Sequence, residues 1–441
     1  MKVLGFRHGV HPPERKSLSA GAPIRRMPFP DEVVLPLRQH AGRPSRPLVT
    51  RGDRVERGDK IAASDGYISV PQHASAAGTV QGIEWWPHPD GSMTESVRIT
   101  VDRFSVQVPR PRLVPRWETL QGREVAQAVQ EAGVVGLGGA AFPAHVKLVP
   151  PPDVKVETLI LNGAECEPYL TSDHRVMVEY PARVHFGARI MMAALGVDRA
   201  VIGVESNKPD AVEALRATIP SDLDIQVVSL TVKYPQGAEK MLIHALTGRE
   251  VPSGKLPASV GAIVQNVGTV AAMAEVFETG LPLVERIVSV TGGGLARPSN
   301  LIVPVGTKLR DVIDFCGGLT PDAAQIVFGG PMMGMVQADL DTPVTKGTSG
   351  IVVLTHAEAA PRTTNPCIHC GRCLDACPVF LMPQQLGAMA QLGRYTEMEE
   401  WNLNDCMLCG SCSYVCPSHI PLSQMFALSK AALRRQKAKS A

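Results

Sequence analysis

Two cysteine runs constrain this chain more than anything else in it. Cys367–Pro378 reads CIHCGRCLDACP and Cys406–Pro417 reads CMLCGSCSYVCP, so each is CxxCxxCxxxCP, and together they hold eight of the ten cysteines. That spacing belongs to paired [4Fe–4S] clusters in which the fourth cysteine of each run ligates the other cluster. It predicts one cluster on Cys367, Cys370, Cys373 and Cys416 and a second on Cys377, Cys406, Cys409 and Cys412. The physical reason is that a cubane needs four converging thiolates. A tight CxxCxxC loop supplies three, and the fourth must arrive from elsewhere. Gly371 and Gly410 stand where the backbone has to turn closely over sulfide, and Pro378 and Pro417 end the loops.

Two zinc sites or a disulfide framework are the alternatives. Zinc usually takes paired CxxC units with four ligands per site, and a third cysteine followed by CxxxCP in both copies fits it poorly. Disulfides fit less well still, because vicinal cysteines in a chain of cytosolic character would misfold through them.

A chain of 441 residues exceeds one ordinary core, and three to four domains are expected. The formal charge is +2 over 44 basic and 42 acidic residues, which excludes a chain-wide field for nucleic acid. The C-terminal end differs: after Asp405 there is no acid, while Lys430, Arg434, Arg435, Lys437 and Lys439 are basic and could meet an acidic partner or an anionic membrane surface. The first residues lack the sustained apolar stretch of an export signal. No window approaches the roughly 18–20 apolar residues of a membrane helix; the run after His185 is broken by Arg189 and that after Gly261 by Gln265 and Asn266. The expected compartment is the cytoplasm or its membrane face.

To about Ile99 the chain is rich in glycine, proline and short alternating runs, and reads as small β structure. Val49–Ala63 and Ile68–Ile83 resemble the two halves of a biotinyl or lipoyl carrier-like sandwich. A swinging-arm carrier needs a lysine at the tip between them, but the tip is Ser64-Asp65-Gly66 and Lys60 lies earlier, so a structural or docking module is expected. From about Leu120 the pattern is α/β. A helix at 121–132 buries Val125, Val129 and Ala132 and stops at Gly133. Apolar runs at Thr158–Leu161, Ala200–Val204 and Ile225–Leu230 read as buried parallel strands, with helices around Ala182–Leu195, Pro209–Thr218, Gly237–Leu246 and Val270–Thr279. Val288–Leu354 suits a β-grasp module, Pro361–Pro366 is a linker, and a helix over His419–Arg435, with Ile420, Met425, Leu428 and Leu433 apolar, is expected to pack back on the cluster fold, a surface-docking role for its basic end being the alternative.

Before the clusters, the strongest chemical signal is GLGGAAFPAHVK at Gly136–Lys147. Glycines ahead of a helix give backbone N–H groups access to a phosphate, and Lys147 can neutralise one, although the same letters often mark only a tight turn. Leu161–Arg175 follows a predicted strand and puts Asn162, Glu165 and Glu167 at its carboxyl end, where α/β sheets bind ligands. Cys166 and Cys316 read as small buried residues. His11, His145 and His174 are tempting acid–base groups, yet hydride transfer to a flavin needs no catalytic histidine.

Assembled, these segments resemble the RnfC subunits of Rnf complexes, the membrane-bound ion-translocating ferredoxin:NAD oxidoreductases. The motifs carrying the likeness are GVHPPERK (Gly9–Lys16), GLGGAAFPAHVKL, NGAECEPYL, YPQGAEKMLIHALTGREVPSGKLP (Tyr234–Pro257), QNVGT (Gln265–Thr269), FGGPMMG (Phe328–Gly334) and both cluster runs. The central part is also similar to the flavin-bearing, NADH-oxidising subunit of respiratory complex I. The resemblance implies that Gly136, Gly138, Gly139, Ala140 and Lys147 cradle an FMN phosphate, and that Asn162, Glu165 and Glu167 line the isoalloxazine and nicotinamide side. Tyr234, Gly237 and Glu239 would sit over the pocket, with Gln265, Asn266 and Thr269 opposite, and no side chain would act as catalyst.

The implied fold is multidomain: a barrel-sandwich hybrid at 1–110, a Rossmann-like FMN/NAD(H)-binding α/β domain at 115–285, an SLBB β-grasp domain at 286–356, a two-[4Fe–4S] ferredoxin domain at 362–430 and a basic tail at 431–441. Implied cofactors are two [4Fe–4S] clusters, FMN and NAD(H). Implied partners are the other subunits of an Rnf-type membrane complex, among them a ferredoxin-like iron–sulfur subunit, with peripheral contact at the cytoplasmic face of the cell membrane and no nucleic acid. The sequence departs from the usual pattern at Ala141, where glycine is usual, and at Ala144, where threonine is; Ser172 and His174 also vary it. Two rivals stand beside this reading: a non-catalytic iron–sulfur relay and docking scaffold, and a cobalamin reductase-like flavoprotein.

Overall fold

The computed structural model describes residues 3–108 and 116–440, without the side chains of the last two. The expected boundary between 110 and 115, and the Lys439 side chain, lie outside the described residues.

Two small antiparallel sheets face each other in the N-terminal region. One orders Glu32–Pro36, Met93–Val101, Gly78–Pro87 and Arg54–Val55; the other orders Arg46–Pro47, Lys60–Ala63 and Gln72–His73. Alternate residues Val33, Leu35, Val97 and Ile99 meet Ile61 and Val80 between the sheets, which makes the sandwich core. The residues before it pair elsewhere. Leu4 bridges Leu230, Val10 bridges Tyr234, and Ile24–Arg26 adds a parallel strand beside Ser299–Pro304 of the β-grasp sheet. Residues 4–26 therefore strap the later domains together, which periodicity in so short a stretch does not reveal.

The α/β domain has a four-stranded, wholly parallel sheet in the order Asp224–Leu230, Arg199–Glu205, Thr158–Gly163, Ala262–Asn266. Leu159, Ile160, Leu161, Ile202 and Val204 are buried on its two faces because helices cover both. The fourth strand is a difference from the sequence pattern, which shows only three. AIVQN is five residues long and ends in the Asn266 cap of helix Val267–Thr279, so its apolar part is too short to stand out. The β-grasp sheet is mixed, ordered Ile24–Arg26, Ser299–Pro304, Glu285–Thr291, Gly350–Thr355, Ala323–Phe328, Met335–Gln337.

The cluster region is built from short helices closed by Leu422–Ser440, and its core joins Leu386, Met398, Leu403 and Phe426 to Cys377 and Cys412. The last helix packs back as expected: Ile420 and Leu433 are buried, Met425 packs against the core, and Leu422 and Phe426 join them, whereas Leu428 is 71% exposed. Two of its cations are engaged: Lys430 Nζ donates to the Cys406 carbonyl at 2.5 Å and Lys437 pairs with Glu399 at 2.7 Å. Among the described residues no helix is long and apolar enough to cross a membrane.

Candidate functional site

In the parallel sheet the second and third strands are added on one side of Thr158–Gly163 and the fourth on the other, so the order reverses between Thr158–Gly163 and Ala262–Asn266. Ligands bind outside the carboxyl ends of strands at such a switch point. Asn162 and Asn266 stand opposite each other there. Asn266 caps the following helix, accepting the Thr269 N–H at 3.1 Å, and donates from Nδ2 to Asp173 Oδ2 at 2.6 Å. Thr269 Oγ1 accepts the Leu137 N–H at 2.8 Å and so ties the glycine loop to the start of that helix. The Gly136 N–H closes the loop on the Phe142 carbonyl at 2.8 Å.

Within this loop the two central glycines differ. A Cβ on Gly138 would stand 2.6 Å from Asn266 Nδ2, while one on Gly139 would meet nothing within 4 Å. Gly138 is thus a close-approach position and Gly139, with the exposed Ala140, faces open space. Ala141 has φ of 51°, the left-handed region that glycine fills without cost. Ala144 is buried at the start of the helical turn holding Lys147.

The far wall brings together the other residues expected to touch a flavin. Lys147 Nζ donates to Glu239 Oε1 at 2.6 Å and to the Val264 carbonyl at 3.0 Å. Asn162 Nδ2 donates to the Gly237 carbonyl at 2.8 Å, and the Gly237 N–H meets Cys166 Sγ at 3.3 Å. Gln265 is buried, and its Nε2 has no partner. A buried unpaired amide donor is costly unless something accepts from it. The open face at Gly139 and this orphan donor fit a polar, phosphate-bearing ligand lying across the strand ends.

Glu165 and Glu167 are engaged by their own protein. Glu165 accepts the N–H groups of Asp173 at 2.8 Å and His174 at 3.1 Å, on opposite carboxylate oxygens. Glu167 accepts from Met332 and Met333, each at 3.0 Å, and thereby ties the Phe328–Gly334 loop of the β-grasp domain to the site. Burial nevertheless pushes the Glu167 carboxyl up to about 7, and burial with Glu165 nearby pushes Asp173 up to about 7.

Two buried lysines hold this segment, and sequence reasoning missed both as site residues. Lys16 Nζ donates to the carbonyls of Glu165, Glu167 and Leu170, and Lys208 Nζ to Ala164 O at 2.7 Å and Glu205 Oε2 at 3.0 Å. Lys16 had a signal, since it ends the GVHPPERK motif; Lys208 and Asp173 had none apart from their place beside predicted elements.

The remaining tempting residues have structural roles. Burial, with Glu205 beside it, pushes the Cys166 thiol up to about 12, and burial pushes Cys316, inside the β-grasp core, to about 11. His11 meets the Val232 carbonyl, His145 the Tyr67 carbonyl and His174 the Asp210 carboxylate.

From the pocket, Tyr234 leads to the cysteine region. Its buried phenol donates to the Cys409 carbonyl at 2.7 Å, and it packs with Cys166, Met332, Met407 and Val415. Cys377, Cys406, Cys409 and Cys412 line one cavity, closed by Leu381 and Phe426. Among the described residues no three His, Cys, Asp or Glu side chains converge closely enough for a single metal ion. The four-thiol cavity fits a larger body with four ligands, as a cubane is.

Strand-end residues at the switch point that fit a phosphate-bearing cofactor, linked by packed side chains to a cavity lined by four cysteines in a doubled CxxCxxCxxxCP fold, define an electron-transfer flavoprotein of the iron–sulfur class. Comparison with known proteins agrees segment by segment: residues 129–275 match the Nuo51 FMN-binding domain, 4–103 the RnfC barrel sandwich hybrid domain, 287–336 the SLBB domain and 363–420 the 4Fe–4S dicluster domain. The chain belongs to the RnfC family, a subunit of ion-translocating ferredoxin:NAD+ oxidoreductase (Rnf) complexes. It is 47% identical over 402 residues to the RnfC subunit of the proton-translocating ferredoxin:NAD+ oxidoreductase complex of Clostridium ljungdahlii, covering 91% of this chain and 88% of that one. It is 44% identical to its counterpart in the Na+-translocating complex of Acetobacterium woodii, covering 90% of each. The counterpart in the ion-translocating oxidoreductase complex of Rhodobacter capsulatus is 41% identical over 98% of this chain and 84% of its own. In fold, 64% of the chain superposes on an NAD+-reducing [NiFe]-hydrogenase chain with a TM-score of 0.51 at 21% identity, spanning 55% of that chain.

Proposed function

We propose that this protein is a peripheral electron-input subunit of an Rnf-type complex, exchanging electrons between NAD(H) and partner subunits at the cytoplasmic face of the cell membrane. The observation that carries the reading is the continuity from pocket to cysteines: Asn162 holds Gly237, Gly237 meets Cys166, and Tyr234, packed against Cys166, is bonded to Cys409. When bound, FMN takes a hydride as an electron pair and returns electrons singly, and each [4Fe–4S] cluster holds one.

This chain's residues supply position. Gly138 allows close backbone approach, Gly139 and Ala140 offer their backbone to the phosphate, and Lys147 is placed to turn from Glu239 toward it. Gln265 Nε2, unpaired and buried, offers a donor to the ring or ribose. Glu165 and Glu167 hold the pocket's rim rather than reacting, and no side chain acts as catalyst. Cys367, Cys370, Cys373 and Cys416 would hold one cluster, and Cys377, Cys406, Cys409 and Cys412 the other. A ferredoxin-like iron–sulfur subunit is the proposed partner.

Anaerobic reconstitution with FMN, iron and sulfide, followed by NADH titration under visible and EPR spectroscopy, tests this. The expected result is one FMN and two clusters per chain, with NADH bleaching the cluster absorbance. Protein with clusters but without flavin or NADH response would instead identify an iron–sulfur relay scaffold. The closed glycine loop and the orphan Gln265 donor favour the flavin-bearing form over the scaffold, and both survive the alanine at position 141.

A further inference from the structure

The two CxxCxxCxxxCP runs share a backbone but not an environment. His369 and Leu408 have φ of 53° and 56°, Gly371 and Gly410 78° and 80°, and Phe380 and His419 57° and 52°, so the loops repeat residue for residue. The second loop is turned inward. Cys409 and Cys412 are buried, the Cys409 carbonyl accepts from Tyr234, and a Cβ on Gly410 would stand 2.9 Å from the Met332 carbonyl. The first loop is turned outward: every residue from Pro361 to Cys370 is exposed, Cys367 and Cys370 included.

Side-chain chemistry follows the same division. Where the inner loop carries Leu408 and Ser411, the outer carries His369 and Arg372. Arg362 precedes the outer loop, and Thr364, beside it, donates to the His419 carbonyl, which brings that histidine to the same face. Arg7 adjoins it, because His8 meets the Asp375 carbonyl and stacks edge-on against Phe380. None of Arg7, Arg362 and Arg372 forms an ion pair among the described residues, and Asp375 is the one acid within the first cysteine run itself. Ile368 is 67% and Phe380 60% exposed, so apolar side chains stand in solvent on the same outward loop that carries Arg362, His369 and Arg372.

We propose that the outward loop carrying Ile368, with Arg362, His369 and Arg372 on it and His419 beside it, is the docking port for a one-electron carrier protein whose contact surface is acidic. The inner cysteine set serves the flavin side. The inference rests on the electron-transfer reading above and deepens it by assigning the two sets unlike tasks. Exposed thiol ligands bring a redox centre to the surface, where transfer to a second protein is possible. Basic and apolar side chains exposed together on one loop suit the fast, transient contacts of such carriers. Each encounter passes one electron, reducing or oxidising the carrier by one, and two encounters balance one hydride. An anionic membrane would meet the loop's charge but has no centre to exchange an electron with.

The test uses the intact complex, with a photo-cross-linking benzoylphenylalanine in place of Ile368 and, separately, of Leu428 on the C-terminal helix. Position 368 is expected to link to an iron–sulfur subunit or carrier through an acidic peptide, and position 428 is not. Charge reversal by Arg362→Glu, which lies outside the cysteine run, and by the double change with Arg372→Glu should lower that yield at least tenfold at low salt. No link from 368, links to lipid alone, or yields insensitive to charge reversal would overturn the port. NADH-driven bleaching in the isolated chain separates the two levels. If it fails, the electron-transfer reading falls; if it persists without the cross-link, only the port falls.

Discussion

Gly138 has no room for a side chain, and Ala141 occupies a conformation that favours having none. These two positions set the tolerance of the glycine loop. Gly138→Ala would put a methyl 2.6 Å from Asn266 Nδ2, an amide held by Asp173, so the loop rather than the cap must move. The expected outcome is a folded protein that retains FMN at least tenfold more weakly, read by flavin fluorescence after gel filtration. Ala141→Gly goes the other way. A left-handed residue with a Cβ costs about 1–2 kcal/mol, while glycine's freedom in the unfolded chain returns about 0.4–1 kcal/mol of that. A net gain of about 0.5–1 kcal/mol is expected, measured by urea denaturation. Wild-type stability above that of the glycine variant would mean that contacts of the alanine methyl outweigh the backbone strain.

At the level of elements, the loop after strand Thr158–Gly163 is fixed by groups from three regions: Lys16 from the strap, Lys208 beside the sheet, and the Met332 and Met333 amides of the β-grasp domain. The sequence showed the strand, the acids and the FGGPMMG motif, since each is local. It did not show that Glu167 and FGGPMMG meet, because that contact spans 165 residues. Nor did it show the strand Ala262–Asn266, whose apolar part is short, or the choice of Phe426 over Leu428, which the partner surface decides. The anchoring has a pH consequence. The carboxyls of Glu167 and Asp173 ionise near 7 in the folded protein, above their ordinary values, because burial disfavours their charge. Between those limits the folded state holds more protons than the unfolded, so the contribution of these two carboxyls to stability falls as pH rises from about 4 to about 7. Glu167→Gln should flatten this slope, leaving the part due to Asp173, as read from urea midpoints across that range. An unchanged slope would remove Glu167 from the account.

Across the whole molecule, the proposed electron route runs from the switch-point site to the solvent-facing loop, and the order of stations along it follows from which cysteines touch what. Cys409 is bonded through its carbonyl to Tyr234 at the pocket, and Cys377, Cys406 and Cys412 line the same cavity. Cys367 and Cys370 are exposed on the outer loop. If the inner set lies between pocket and surface, the two sets are not interchangeable despite their repeated backbone. Removing an outer ligand by Cys370→Ser should leave the inner cluster reducible by NADH, with its EPR signal intact. Removing an inner ligand by Cys409→Ser should leave an outer cluster that dithionite reduces readily and that NADH reduces at least tenfold more slowly than in the wild type. Dithionite separates a cluster that is absent from one that is present but disconnected. The reverse pattern, with the outer cluster still reduced rapidly after loss of the inner one, would show that electrons reach the surface loop without passing the cavity beside Tyr234.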